Sequence, residues 1–250
     1  MHPNSIFRLK GSDADQRATM EALVQEIGFG MVFAQTPDGP RVAQSALFST
    51  GDGAVQFHLS NGNALTKYLH GSDALVVVNG PDAYISPDWY EGSNQVPTWN
   101  YISLELEGPV RKMDDDGLIA LLDDLSAVNE ARLAPKTLWT RDKMDDALFD
   151  KMTRAITGFE MEIRGWRPTF KLSQNKPDAD RLGAADELKK RGKKARALLR
   201  REGVQCPRPA SPYSIAMVRW STARPISAWR WSTPSTKWGW PRRRAMQRDV

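Results

Sequence analysis

Hydrophobic residues recur along this chain with two different periods. Between Asp13 and Ile27, Met20, Leu23, Val24 and Ile27 fall at three- and four-residue spacing, with Ser12 or Asp13 placed to cap and Gly28 to stop, which predicts a helix. The period then shortens. GMVFAQT, RVAQSALFS and AVQFHLS are β-prone runs separated by PDGP and TGDG, whose Gly and Asp residues accept the backbone angles of tight turns. NALTKYLHG reads as one short helix closed by Gly71, after which ALVVVNG, AYIS and TWNYISLELEGPVRKM return to strand character. Six β segments within about eighty residues, joined by connections mostly too short for parallel crossovers, predict an antiparallel barrel or sandwich.

Helical spacing returns in Asp114 to Asn129, through Leu118, Leu121, Leu122, Leu125 and Val128, and in Met144 to Ile156, through Leu148, Met152 and Ile156. Both helices are expected against the barrel. GFEMEIRGWRPTFKLSQN restores alternation, with Phe159, Met161 and Ile163 on one face and Glu160, Glu162 and Arg164 on the other, so one more strand or hairpin is expected to close the barrel. Asp178 to Glu202 is charged and helix-favouring, with Leu182, Leu188, Leu198 and Leu199 as its apolar positions. A solvated terminal helix is the preferred reading over a nucleic-acid arm, despite KKRGKKARALLRR.

Composition sharpens the boundaries. A chain of 250 residues is long enough for one large core. No run approaches the roughly 18 uninterrupted apolar residues of a membrane helix, and the first twenty residues carry Arg8, Lys10, Asp13 and Asp15 in place of a signal-peptide core. A soluble, cytoplasmic protein is expected. Cys206 is the single cysteine, and His2, His58 and His70 show no ligand spacing, which argues against a disulfide or structural zinc. The net charge of +5 is unevenly distributed: residues 206–250 carry +8 and residues 1–205 carry −3. Basicity therefore belongs to the tail, and the remainder gives nucleic acid no electrostatic footing. That tail, with five Trp, six Pro and no Glu, has no stable periodicity and reads as an irregular or non-native extension, such as translation in a wrong frame. The domain expected to fold is residues 1–205.

Familiar catalytic templates are absent: the chain has no Gly-x-Ser-x-Gly, no P-loop, no dinucleotide fingerprint and no His-Glu-x-x-His. The carboxylates of Asp114, Asp115, Asp116, Asp123 and Asp124 suit a solvated helix face. What stands out is ISPDWYEGSNQVPTWNY, residues 85–101, with two Trp, two Tyr and two Pro among small polar residues.

GPDAYISPDWY followed by VPTWNY, and FKLSQNK some seventy residues on, resemble the PaiB-type FMN-binding negative transcriptional regulators, a branch of the split-barrel flavoproteins that includes pyridoxamine-phosphate oxidases. MHPNSIF resembles the family's opening, FHLSNGNALTKYL its histidine-containing phosphate-loop segment, and ITGFEMEI the strand before its Ser-Gln-Asn motif. The resemblance covers residues 1 to about 190 in the family's order. It implies a mainly β protein with α, a Greek-key split barrel with peripheral helices, which dimerises and holds one FMN in each of two clefts between subunits.

Physical chemistry suits that implication. An isoalloxazine ring is a flat apolar slab with a polar edge, so its site needs aromatic walls and a few donors and acceptors. Trp99 and Tyr101, at alternate strand positions, share a face, and Asn100 points the other way. Trp89 and Tyr90 are open between core burial, dimer contact and flavin contact. By resemblance, Ala43, Gln44 and Ser45 lie on the strand that runs along the ring, Ala43 through its backbone. His58, Ser60, Asn61, Asn63 and Lys67 lie where a phosphate is held, and Lys171, Ser173, Gln174 and Asn175 reach the flavin's polar edge or phosphate. Many family members have Ala-Arg and Asn-Pro after the histidine, where this chain has Ser60-Asn61 and Asn63-Ala64, so a bidentate phosphate partner is missing there. The function implied is an FMN-binding homodimer that lowers gene expression; an indirect effect is expected, since the acidic residues 1–205 and the lack of a helix-turn-helix motivate direct DNA binding poorly, and no membrane is expected. An FMN-dependent oxidase or reductase of a small molecule is the alternative.

Overall fold

Helix α1 (Asp13–Ile27) begins where the Ser12 side chain accepts the Asp15 amide and ends at Gly28, whose φ of 62° lets the chain turn straight into a strand. A computed structural model describes residues 2–191. The expected continuation of the last helix to Glu202, with Leu198 and Leu199, and the tail 206–250 lie outside the described residues. After α1 come β1 (Phe29–Thr36), β2 (Gly39–Ala46), β3 (Phe48–Ser49), β4 (Ala54–Ser60), a single helical turn α2 (Thr66–Leu69), β5 (Asp73–Ile85) and β6 (Thr98–Lys112). They are followed by α3 (Asp115–Ala131), α4 (Asp146–Thr153), β7 (Ile156–Glu162), β8 (Gly165–Lys171) and α5 (Asp178–Arg191). The fold is mainly β with α, a split barrel with helices around it.

All strand pairs are antiparallel, in the order β2-β1-β5-β6-β7-β4-β3, with β8 also on β6. Strand β6 organises the rest. One edge pairs with β5 from Thr98 to Pro109, while the other pairs first with β8, from Tyr101 to Glu107, and then with β7, from Val110 to Lys112. The changeover falls at Gly108, where a Cβ would collide with the Glu162 carbonyl oxygen. On the far side, Ser45 Oγ donates to the His58 carbonyl at 2.8 Å and links β2 to β4.

The interior is filled by the inward positions of these strands. Val32, Val55, Phe57, Val76, Val78, Leu104, Leu106, Phe159 and Met161 are fully buried, each side chain contributing about 1.5–3 kcal/mol. Phe57 and Phe159 stack at 5.6 Å. Helices α1 and α2 add Met20, Leu23, Val24 and Leu69 to the same core. A smaller cluster joins Ile85, Tyr90, Ala184 and Leu188, with Trp89 packed against it.

Four expectations are revised. ALVVVNG and AYIS form one strand, β5, whose register shifts between Asn79 and Asp82, because Gly80 lets the backbone pass close to Ile102. The helix expected to reach Ile156 stops at Thr153, since Ile156 is taken by β7 to pair with Ser60. Strands β7 and β8 do not form a hairpin; they lie end to end along β6. Helix α5 buries one face, Asp180, Ala184, Ala185 and Leu188, beside the 3-10 turn Pro87–Trp89, where Gly183 leaves space for the Trp89 carbonyl.

Gly108→Ala is expected to lower stability by about 3 kcal/mol, because backbone rather than a flexible side chain blocks the new methyl group. Urea unfolding of the two proteins checks this; an unchanged midpoint would contradict the strand-crossing geometry.

Candidate functional site

At the start of β6 the chain exposes aromatic surface. Trp99 is 54% exposed and meets Tyr84, 47% exposed and opposite it in register, edge to face at 6.1 Å. Tyr101, two residues on and therefore on the same face, is paired with Asp82 on one side and Lys171 on the other. Lys171 Nζ donates to Thr98 Oγ1 at 2.6 Å and lies 6.0 Å over the Tyr101 ring. Asn100 faces inward, and its side-chain amide meets the buried Ser173 hydroxyl at 2.9 and 3.1 Å. Those bonds hold Ser173 in the left-handed conformation, φ 62°, that reverses the chain after β8. Gln174 folds back on its own segment, accepting the Leu172 amide at 2.8 Å and donating to the Phe170 carbonyl, while Asn175 is exposed.

Behind this wall the loop 86–97 is strapped to α5. The buried Asp180 carboxylate accepts the Glu91 and Gly92 amides at 2.9 and 3.3 Å, and Lys176 donates to Gln95 while covering the Tyr90 ring at 5.3 Å. The Tyr90 hydroxyl is buried near Ser173 without a well-formed hydrogen bond, and burial pushes its pKa up. Trp89 packs on α5 beneath the Arg191 guanidinium, 5.2 Å away. Of the four aromatics in the 85–101 stretch, Trp89 and Tyr90 thus anchor the loop, and Trp99 and Tyr101 are presented outward.

The second group lies at the end of β4. Ser60 and Thr66 are joined by Thr66 Oγ1 donating to the Ser60 carbonyl at 2.7 Å, and Asn63 Oδ1 accepts the Leu65 amide at 2.9 Å. Asn61 is tied to the start of β7: its side chain donates to the Arg154 carbonyl at 2.8 Å and accepts from Thr157 Oγ1 at 2.7 Å. Lys67 is exposed, 5.0 Å over the Tyr68 ring, and makes no ion pair among the described residues. The helix expected to begin here is only the one-turn α2, so side chains and the Lys67 charge, rather than a helix dipole, are what this end offers an anion.

Alternation along β2 turns Ala43 and Ser45 into the barrel and Gln44 outward. His58, outward-facing on β4, lies under α3 in a groove of about 340 Å³ with Ala46, Leu122, Leu125, Ser126, Asn129 and Trp139. Its Nδ1 is buried without a hydrogen-bond partner, and burial holds its pKa below the ordinary 6.5.

The two groups are far apart within one subunit. Ser60 pairs with Ile156, and three residues further along β7, Phe159 pairs with Lys112 at the end of β6. Trp99 lies at the other end of that strand, about 40 Å away along its length at the usual rise per residue. An exposed aromatic wall fits a flavin ring, and the Ser60–Lys67 segment fits a phosphate, but one copy of the chain does not bring them together. Tyr84, absent from the residues singled out in the sequence, belongs to the wall; the alternation of AYIS laid antiparallel to TWNY is the signal that places it opposite Trp99.

A split barrel with an outward aromatic wall and a separate cation-bearing loop has surfaces that suit a flat ring and a phosphate. Residues 7–165 match the family described as "Putative FMN-binding domain". The protease synthase and sporulation protein PAI 2 of Bacillus subtilis is 30% identical over 169 residues, covering 66% of this chain and 80% of that protein. The FAD and Heme binding protein from Mycobacterium smegmatis aligns at 19% identity over 67% of this chain and 77% of that one, with a TM-score of 0.49. For the flavocytochrome Anf3 from Azotobacter vinelandii the values are 17%, 67%, 74% and 0.47. The chain belongs to the PaiB-type FMN-binding family, and its cofactor is FMN.

Because the folded pKa of His58 is depressed, the unfolded chain takes up this proton first as pH falls through 6.5, and stability is lost below that pH. Replacing His58 with Gln is expected to flatten the fall in the urea midpoint between pH 7 and 5; a profile as steep as that of the unaltered protein would contradict this.

Proposed function

We propose that the chain works as a homodimer with FMN in two equivalent clefts, each built from the Trp99 end of one copy and the Ser60–Lys67 end of the other. The observation that carries this is the outer face of β2, β1 and β5. Register sets Val42, Phe33 and Leu75 in one row and Gln44, Met31 and Val77 in the next, with Phe29 beside Ala46. Phe29 is 53% and Val42 49% exposed, and none of these outward side chains belongs to the core. Glu105, Glu107 and Arg167 border the patch, with Arg167 Nε 3.1 Å from Glu105. An apolar centre with a charged rim is the composition of a buried interface.

In this dimer Trp99, Tyr101 and Tyr84 flank the isoalloxazine ring, Gln44 and the Ala43–Ser45 backbone run along it, and Lys171 and Asn175 address its polar edge. Ser173 and Gln174 shape the turn that presents them, and His58 closes the floor of the neighbouring groove. Ser60, Asn61, Asn63 and Lys67 receive the phosphate. When bound, FMN supplies one- and two-electron redox chemistry; the chain supplies position and polarity.

The output we favour is negative regulation of gene expression, the role that the family resemblance implies; the Bacillus subtilis relative is named a protease synthase and sporulation protein. Residues 1–205 carry −3, so the effect is indirect, through an interaction that the flavin's redox or ligand state alters, and takes place in the cytoplasm. Among the described residues no helix is long and apolar enough to cross a membrane. A specific feature favours the enzyme reading as second choice: a groove of about 490 Å³ lined by Tyr84, Ser86, Asp88, Trp89, Leu188 and Arg191 adjoins the ring wall and has room for a small substrate. Sustained turnover of reduced nicotinamide would select that reading.

Purified protein is expected to be yellow and to sediment as a dimer. Phe33→Asp is expected to give a folded monomer that has lost FMN, whereas Trp99→Ala keeps the dimer and weakens FMN about tenfold, the scale of one stacking contact. Sedimentation with detection at the flavin absorbance checks both; a monomer that retains its flavin would overturn the shared cleft.

A further inference from the structure

We propose that Arg154 supplies the guanidinium that grips the FMN phosphate, an inference that rests on the flavin reading above. The phosphate-side loop has little fixed charge of its own: Ser60, Asn61, Gly62 and Asn63 are neutral, and Lys67 is the one cation between Ser60 and Leu69. The fold adds a second from a distant part of the sequence. Ser60 pairs with Ile156, the Asn61 amide donates to the Ala155 carbonyl at 2.9 Å, and the same register carried one step further sets Arg154 across from Gly62. The side chain of Asn61 secures this arrangement through Arg154 and Thr157, as described above. Asn61 thereby also acts as the clamp that carries an arginine to the loop.

The neighbourhood leaves that arginine available. Arg154 caps α4, is exposed, and makes no ion pair among the described residues; Asp150, one turn earlier on its own helix, is bonded to it only through the backbone. A Cβ on Gly62 would meet nothing closer than Ser60 Oγ at 3.8 Å, so the space over this loop is open to a ligand. On the other flank, Thr66 Oγ1 bonded to the Ser60 carbonyl holds the turn that carries Lys67. Two cations without carboxylate partners therefore bracket one short loop. A planar guanidinium can bond two oxygens of a phosphomonoester at once, which an ammonium cannot.

The test compares FMN with riboflavin, which has the same ring and no phosphate, by fluorescence titration of the full-length apoprotein. Arg154→Gln is expected to weaken FMN about thirtyfold, the worth of a charge-assisted hydrogen bond, with riboflavin affinity unchanged and the melting temperature preserved. Arg154→Lys is expected to recover part of the loss. Unaltered FMN affinity in Arg154→Gln, or equal losses of FMN and riboflavin, would overturn the assignment while leaving the flavin reading intact. An unaltered protein that binds neither compound would overturn the flavin reading itself, and this inference with it.

Discussion

Strand β6 is fifteen residues long and serves two sheets, and most of what this protein can do follows from that length. A strand that pairs with β8 along its first half and β7 along its second keeps its two ends apart, and Gly108 is where the partner changes without interrupting the ladder to β5. Whatever stands at Trp99 cannot meet whatever stands beyond Lys112 in the same copy. The split that gives the barrel its shape also divides its candidate site into two halves.

That division gives the outer face of β2, β1 and β5 its meaning. Water against Phe29, Phe33, Val42 and Leu75 costs about 25 cal/mol per Å² of apolar surface, and the proposed second copy of the same face would remove that cost without any new structure. In the proposed homodimer, symmetry would produce two clefts at once. The strapping of loop 86–97 by Asp180 and Lys176 serves the same end, since an aromatic wall stacks on a ligand only if it is already held in place. Trp89 and Tyr90 provide the holding; Trp99 and Tyr101 provide the surface.

Much of this could be read from the amino acids alone, and the places where it could not have physical causes. Period and turn chemistry located α1, the strands around PDGP and TGDG, and α3, and alternation alone set Trp99 and Tyr101 against Asn100. Gly80-Pro81 looked like a break, yet Gly80 is what permits β5 to continue past Ile102. Ile156 suited a helix by spacing but is claimed by Ser60, a partner nearly a hundred residues away that local pattern cannot reveal. The residue types of the site were visible because aromatic, amide and lysine side chains carry their chemistry with them. Their separation along β6, the inward turn of Ser45 and the bond from Asn61 to the Arg154 carbonyl depend on register, which no single segment encodes.

The claim that each flavin draws on two copies is tested most directly by subunit complementation. Trp99→Ala and Lys67→Ala proteins each damage both sites of their own dimer, whereas a mixed dimer contains one site damaged twice and one with both halves whole. Co-expressed and separated from the parental dimers, the mixed species is predicted to bind one FMN with the affinity of the unaltered protein. A mixed dimer that binds no better than either parent would mean that Trp99 and Lys67 do not meet across the interface.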